Sequence, residues 1–172
     1  MKFLRTTIIL TWVLLAYSCQ QKSQEAGEFS LLPTPQEMAI KGVSNLKYND
    51  LHKYYTASDA LLPVLGSQLD GLTRSDTVND AQITFTIDPA SGLPNEGYSL
   101  KITERQVSIV ANDDPGLFYA FQTLQQLMID AEEQGVNLPK CDITDYPLLC
   151  YRAVHWDVKH HLEKPSYYYE LI

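Results

Sequence analysis

The run Tyr98-Ser99-Leu100-Lys101-Ile102-Thr103-Glu104-Arg105-Gln106-Val107-Ser108-Ile109-Val110-Ala111, followed after Asn112 by Asp113-Asp114-Pro115-Gly116-Leu117-Phe118-Tyr119-Ala120-Phe121, decides how this chain folds. Tyr98, Leu100 and Ile102 alternate with polar residues, and Val107, Ile109 and Ala111 repeat the pattern. That period belongs to a strand with one apolar face. The link Thr103-Glu104-Arg105-Gln106 is hairpin-sized, so the two strands pair antiparallel. Beyond them the period becomes helical. Leu117, Ala120, Phe121, Leu124, Leu127 and Met128 trace one stripe, with Asp114 as the expected N-cap, Pro115 at the first helical position and Gly135 as the stop. Strands apolar on one side, beside a helix with one apolar stripe, imply a sheet covered on one face.

Working outward, Ile83, Phe85 and Ile87 give a third strand of the same period. Leu61, Leu65 and Leu69 suggest a helix capped by Ser58 or Asp59, with Pro63 limiting where it begins. A weak strand is expected at residues 40–48, preceded by an extended run whose Pro33 and Pro35 disfavour helix. Residues 31–145 therefore read as a small α+β domain: an antiparallel or mixed sheet with helices packed on one face. Nothing in it resembles a catalytic constellation. GxSxG and phosphate-loop patterns are missing, and its one histidine, His52, reads as a surface residue. Asp113 and Asp114 read as helix-start caps rather than an acid/base pair. Gln122, Gln125 and Gln126 are expected to face outward or along the edge of the helix.

The totals fit a globular protein: 172 residues, 45% hydrophobic and 20% charged. A formal net charge of -8 argues against a general affinity for nucleic acid or anionic lipid. Residues 1–19 read as a signal segment, with Lys2 and Arg5 ahead of a short apolar core that is too brief to span a bilayer. Ala16 and Ser18 suit an ordinary signal peptidase, whereas Cys19 directly after them resembles a bacterial lipoprotein box. The lipoprotein reading is favoured. It makes Cys19 the lipidation site and residues 20–30 a polar tether, with membrane contact only through the lipid. The expected location is the bacterial periplasm, or an outer-membrane or cell-surface lipoprotein. Cys141 and Cys150 are either buried free thiols or a pair, and no zinc-ligand spacing accompanies them.

Near the C-terminus, Tyr151-Arg152-Ala153-Val154-His155-Trp156-Asp157-Val158-Lys159-His160-His161 gathers an arginine, an aspartate and three histidines beside two aromatics. Pro165 then opens a helix, so the local plan is strand, polar loop, helix, the arrangement that binds ligands at strand ends of parallel α/β proteins. His155, Asp157, His160 and His161 are not read as a metal site.

These residues carry a resemblance. Asp114 through Leu127 resembles the "GlfyGlqTLlQL" helix of glycoside hydrolase family 20, the β-N-acetylhexosaminidases, and Glu96-Gly97-Tyr98-Ser99-Leu100-Lys101-Ile102 resembles the strand before it. Ile143-Thr144-Asp145-Tyr146-Pro147 and residues 151–161 are similar to that family's lead into its catalytic barrel, with Ala153, Lys159 and His160 as departures. The resemblance implies an accessory α+β domain followed by a (β/α)8 barrel that removes terminal N-acetylhexosamines from glycans. In the family the substrate's own acetamido oxygen attacks, and an Asp-Glu pair orients it and protonates the leaving oxygen. Residue by residue, Arg152 matches the arginine that holds hydroxyls of the terminal sugar, the other reading being a tie to Asp145 or Asp157. Asp157 and His161 match residues of pocket support. No cofactor is implied. A barrel needs about 250 residues, so residues 146–172 are expected to be only its truncated start, without the Asp-Glu pair and inactive alone. The alternative is a stand-alone surface lipoprotein module that binds a glycan or a protein without catalysis.

Overall fold

The computed structural model describes residues 27–59, 62–153 and 164–169. Seven strands, β1 (Glu37–Val43), β2 (Lys53–Thr56), β3 (Thr73–Arg74), β4 (Ile83–Ile87), β5 (Tyr98–Ile102), β6 (Val107–Ala111) and β7 (Pro139–Asp145), form one sheet. Its order is β1-β7-β5-β6-β4-β2-β3. The helices are α1 (Leu62–Leu65), α2 (Asp114–Gln134) and α3 (Pro165–Tyr169).

The expected β5–β6 hairpin is present and antiparallel, pairing Tyr98 with Ala111 and Ile102 with Val107. The sheet as a whole is mixed. β1–β7 and β5–β7 are antiparallel, but β4–β6, β2–β4 and β2–β3 are parallel. Period-two alternation fixes which face of a strand is buried and is silent about its neighbour. β4 illustrates this: the chain leaves it through the loop of residues 88–97 and returns as β5 on the far side of β6.

One face of the sheet lies under α2. Leu100, Val107, Ile109 and Ala111 meet Leu117, Ala120, Leu124 and Leu127, all fully buried, and β7 adds Cys141 and Ile143. Each such leucine or isoleucine contributes about 1.5–3 kcal/mol by leaving water. The N-cap is Asp113 and not Asp114: its Oδ1 accepts from Gly116 N at 2.9 Å, placing Pro115 within the first turn. Gly135 stops the helix at φ 65, a left-handed conformation that glycine adopts without a Cβ clash. Val136 N then bonds to Ala131 O at 3.0 Å and Gly135 N to Glu132 O at 3.1 Å, satisfying carbonyls of the last turn.

Two of the three outward glutamines, Gln122 and Gln126, have structural partners, Gln122 Nε2 donating to Gln68 Oε1 at 2.8 Å. Gln126 Oε1 accepts from Leu32 N at 2.9 Å and its Nε2 donates to Leu32 O at 3.0 Å. Ser30 N donates to Asp130 Oδ2 at 3.0 Å, and Gln134 makes the same two-way contact with Glu28. Side chains four apart on the helix thus hold alternate residues of the preceding strap. The repeats match, since four helical residues advance about 6 Å and two extended residues about 6.6 Å.

Three further expectations need correction. The weak strand at 40–48 is β1, shifted earlier to Glu37–Val43. The helix carrying Leu65 and Leu69 is a single turn, Leu62–Leu65, continued as a 3-10 turn over Gly66–Leu69, because Gly66 takes φ 48. Leu65 is buried as its spacing required, while Leu61 and the residue before it, where the expected helix begins, lie outside the described residues. Cys141 and Cys150 are both free, but only Cys141 is buried; Cys150 is exposed.

Candidate functional site

A cavity of about 590 Å³ opens where three segments meet: the strap, the outer side of α2 and the chain leaving β7. Leu32, Pro33 and Gln36 line it from the strap, Phe118, Tyr119 and Gln122 from the helix, and residues 146–149 with Arg152 from the C-terminal side. The walls are mainly apolar, and the polar groups converge at two points.

The first is Asp145, the last residue of β7. Its Oδ1 accepts from Gln36 N at 3.1 Å and its Oδ2 from the Tyr98 hydroxyl at 3.4 Å. Tyr98 is buried, and its hydroxyl lies 2.5 Å from Thr123 Oγ1. Burial drives the Tyr98 phenol well above its usual range, against the pull of Thr123, so it stays protonated.

The second is Arg152. Its guanidinium donates to the carboxylate of Glu96, to Tyr119 Oη at 3.2 Å and to Leu149 O, with its centre 5.8 Å from the middle of the Tyr119 ring. The Glu96 hydrogen bond, reinforced by Tyr119, raises its pKa further. The expected alternative partner Asp145 is not bonded to it, and Asp157 lies outside the described residues. His161, Cys19, and the His155, Asp157, His160 and His161 group also lie outside them. Of the run of residues 151–161 expected to open with a strand, the described part, 151–153, is irregular backbone. α3 begins at Pro165 as anticipated.

Glu96 and Tyr119 are the site residues that sequence reasoning missed as such. Both stand within the stretches that carry the family resemblance, but neither spacing nor charge pattern links them to a residue tens of positions away. His52 is exposed, as read from the sequence.

Both carboxylates of the site have partners within the chain. Glu96 is engaged by Arg152, and Asp145 by Gln36 and Tyr98. Among the described residues no group of three His, Cys, Asp or Glu side chains could hold a metal ion, and no helix is long and apolar enough to cross a membrane.

Comparison with known proteins places this geometry in context. The family model described as "Glycosyl hydrolase family 20, domain 2" matches residues 28–146. A "Beta-hexosaminidase" of Porphyromonas gingivalis (strain ATCC BAA-308 / W83) is 26% identical over 184 residues, covering 94% of this chain and 23% of that protein. A "Beta-hexosaminidase" of Vibrio vulnificus is 29% identical over 132 residues, 74% of this chain and 15% of its own length. The chain thus spans less than a quarter of the curated relatives it matches. Among solved structures, the beta-N-acetylhexosaminidase from Bacteroides fragilis NCTC 9343 superposes with a TM-score of 0.53 at 26% identity, covering 69% of this chain and 25% of that one. The GH20 beta-N-acetylhexosaminidase from Streptomyces coelicolor A3(2) superposes at 0.61 over 76% of this chain and 29% of that one; at 23% identity that likeness concerns the fold.

Proposed function

This chain belongs to glycosyl hydrolase family 20, through its domain 2, and from that membership we propose that it is the N-terminal portion of an exported β-N-acetylhexosaminidase. Residues 31–145 are the accessory domain and residues 146–172 lead into the catalytic (β/α)8 barrel. The full protein removes terminal N-acetylhexosamines by the substrate-assisted retaining route. Its Asp-Glu pair belongs to later barrel strands, so these 172 residues alone are inactive. Arg152 binds hydroxyls of the terminal sugar, Asp157 and His161 support the pocket, and a lipid on Cys19 anchors the protein at a bacterial surface or in the periplasm.

The observation that carries this reading is the family match over residues 28–146, joined to relatives more than four times longer that bear hexosaminidase names. The commitment of Glu96 and Asp145 to internal partners agrees with it, since an accessory domain needs no free acid pair. Arg152 suits the sugar-binding role chemically: a guanidinium is a rigid fork of five N–H donors, able to address adjacent hydroxyls from one point.

The test is release of nitrophenol from the N-acetyl-β-glucosaminide, comparing this chain with a version extended through a complete barrel. Activity is expected in the extended protein alone and is expected to fall on Arg152→Ala. Silence from both would favour the binding module instead, with the cavity beside α2 as its site. Turnover by the 172-residue chain would overturn the placement of the chemistry.

A further inference from the structure

Glu96 occupies backbone that residues other than glycine rarely adopt, with φ 60. Such strain persists only where the surroundings impose it, and it often accompanies function. Three contacts impose it here. Glu96 N donates to Asp113 Oδ2 at 2.8 Å, so the residue that caps α2 also holds the turn. Gly97 N closes that turn on Pro94 O at 2.9 Å. Gly116, in the first turn of α2, lies so close that a Cβ there would come within 2.5 Å of Gly97 O. The Glu96 backbone is thereby fixed against both β5 and α2.

This fixed turn presents a carboxylate to Arg152. Tyr119, in the second turn of α2, supplies its ring and its hydroxyl to the same guanidinium. Leu149 O takes a further N–H and folds residues 149–152 back on themselves. We infer that Glu96 and Tyr119 are positioning residues that clamp Arg152, so that the accessory domain sets the place of an arginine belonging to the catalytic half. This inference rests on the reading of Arg152 as a sugar-binding group. Three of its five N–H donors are taken by Glu96, Tyr119 and Leu149, leaving Nε–H and one Nη1–H without a partner among the described residues. The two remaining donors lie on different edges of a guanidinium held in place, so each can address a separate sugar hydroxyl. The accessory domain is then a contributor to substrate affinity without touching substrate.

Two measurements test this separately from the parent reading. In the 172-residue chain, trypsin cleavage after Arg152 reports how often the clamp opens, because proteolysis tracks the open population. The pair is half-exposed, with Arg152 at 41% and Glu96 at 28% side-chain exposure. Glu96→Gln is therefore expected to speed cleavage at Arg152 by about two- to fivefold. Tyr119→Phe should act in the same direction, while cleavage at the exposed Arg105 and the thermal midpoint stay unchanged. In the protein extended through its barrel, Glu96→Gln should raise KM for the nitrophenyl N-acetylglucosaminide by a similar factor and leave kcat in place. Unchanged cleavage at Arg152 in both variants overturns the clamp, whatever Arg152→Ala does to activity. An unchanged KM in Arg152→Ala overturns the sugar-binding reading, and the positioning role with it, even if the cleavage result stands.

Discussion

Asp113 shows how much one side chain can carry. It caps α2 through Gly116 N, holds the strained Glu96 turn and accepts from Asn112 Nδ2 at 3.3 Å. Loss of an N-cap costs about 1 kcal/mol, up to about 2 in proteins, and Asp113→Ala should reach the upper end in urea unfolding because a second amide loses its acceptor. Burial works to raise the Asp113 pKa, but the Glu96 and Gly116 amides and the Asn112 side chain outweigh it and hold it below the usual carboxylate value. A depressed pKa contributes stability that is complete above the unfolded value of about 3.9 and is lost as pH falls through the lower folded value. Asp113→Asn should therefore flatten the acid limb of the Tm–pH profile below about pH 4; an unchanged slope would show that other carboxylates govern it. The cap lay one residue from the sequence reading, since two aspartates precede Pro115 and only the approach of the 94–97 turn selects between them. At Gly116 the same approach forbids a side chain, because a Cβ would meet backbone atoms that cannot step aside. Gly116→Ala is expected to destabilise by about 1–3 kcal/mol. Cys141, whose thiol burial pushes up to about 12, should resist a thiol reagent until the domain unfolds, while the exposed Cys150 reacts at once; peptide mapping separates the two.

Among the elements, α2 and the β5–β6 hairpin were legible because their apolar periods are long and uninterrupted. β2, β3 and β7 were not. β2 is four residues, Lys-Tyr-Tyr-Thr, β3 is two, and β7 begins with proline and alternates with charge. Only its pattern of buried Pro139, Cys141 and Ile143 betrays it, once cysteine is counted as a small apolar residue. α1 misled for a different reason: leucines four apart satisfy a helix, but Gly66 turns the backbone left-handed just after the first turn. Within α2 the two faces should respond differently. Leu124→Ala, at a fully buried site, is expected to cost about 2–5 kcal/mol, against less than about 0.5 kcal/mol for the half-exposed Ile129. The strap offers a local test. Replacing Gln126 and Gln134 by alanine should accelerate amide exchange at Glu28 and Leu32 while leaving exchange in β5 and β6 unchanged. Uniform acceleration would mean that the strap helps to hold the core and is not merely pinned to it.

For the whole molecule, the sheet and its covering helix are complete once β7 has paired with β1 and β5. Beyond it the chain carries Leu148, Leu149 and Tyr151 at 75%, 67% and 85% exposure. A chain ending at residue 145 should therefore keep its far-UV spectrum and cooperative unfolding, and should aggregate less in light scattering as that apolar run is removed. Loss of cooperativity would place the domain boundary later. The sheet order carries one further consequence. β1 and β7 are edge neighbours, with Glu37 opposite Thr144, so the backbone arrives and departs about 5 Å apart. The strap of residues 28–36 runs past that meeting point along α2, so a transplantable cassette must carry it, and the flank that needs rejoining lies beside Gln134 rather than beside β7.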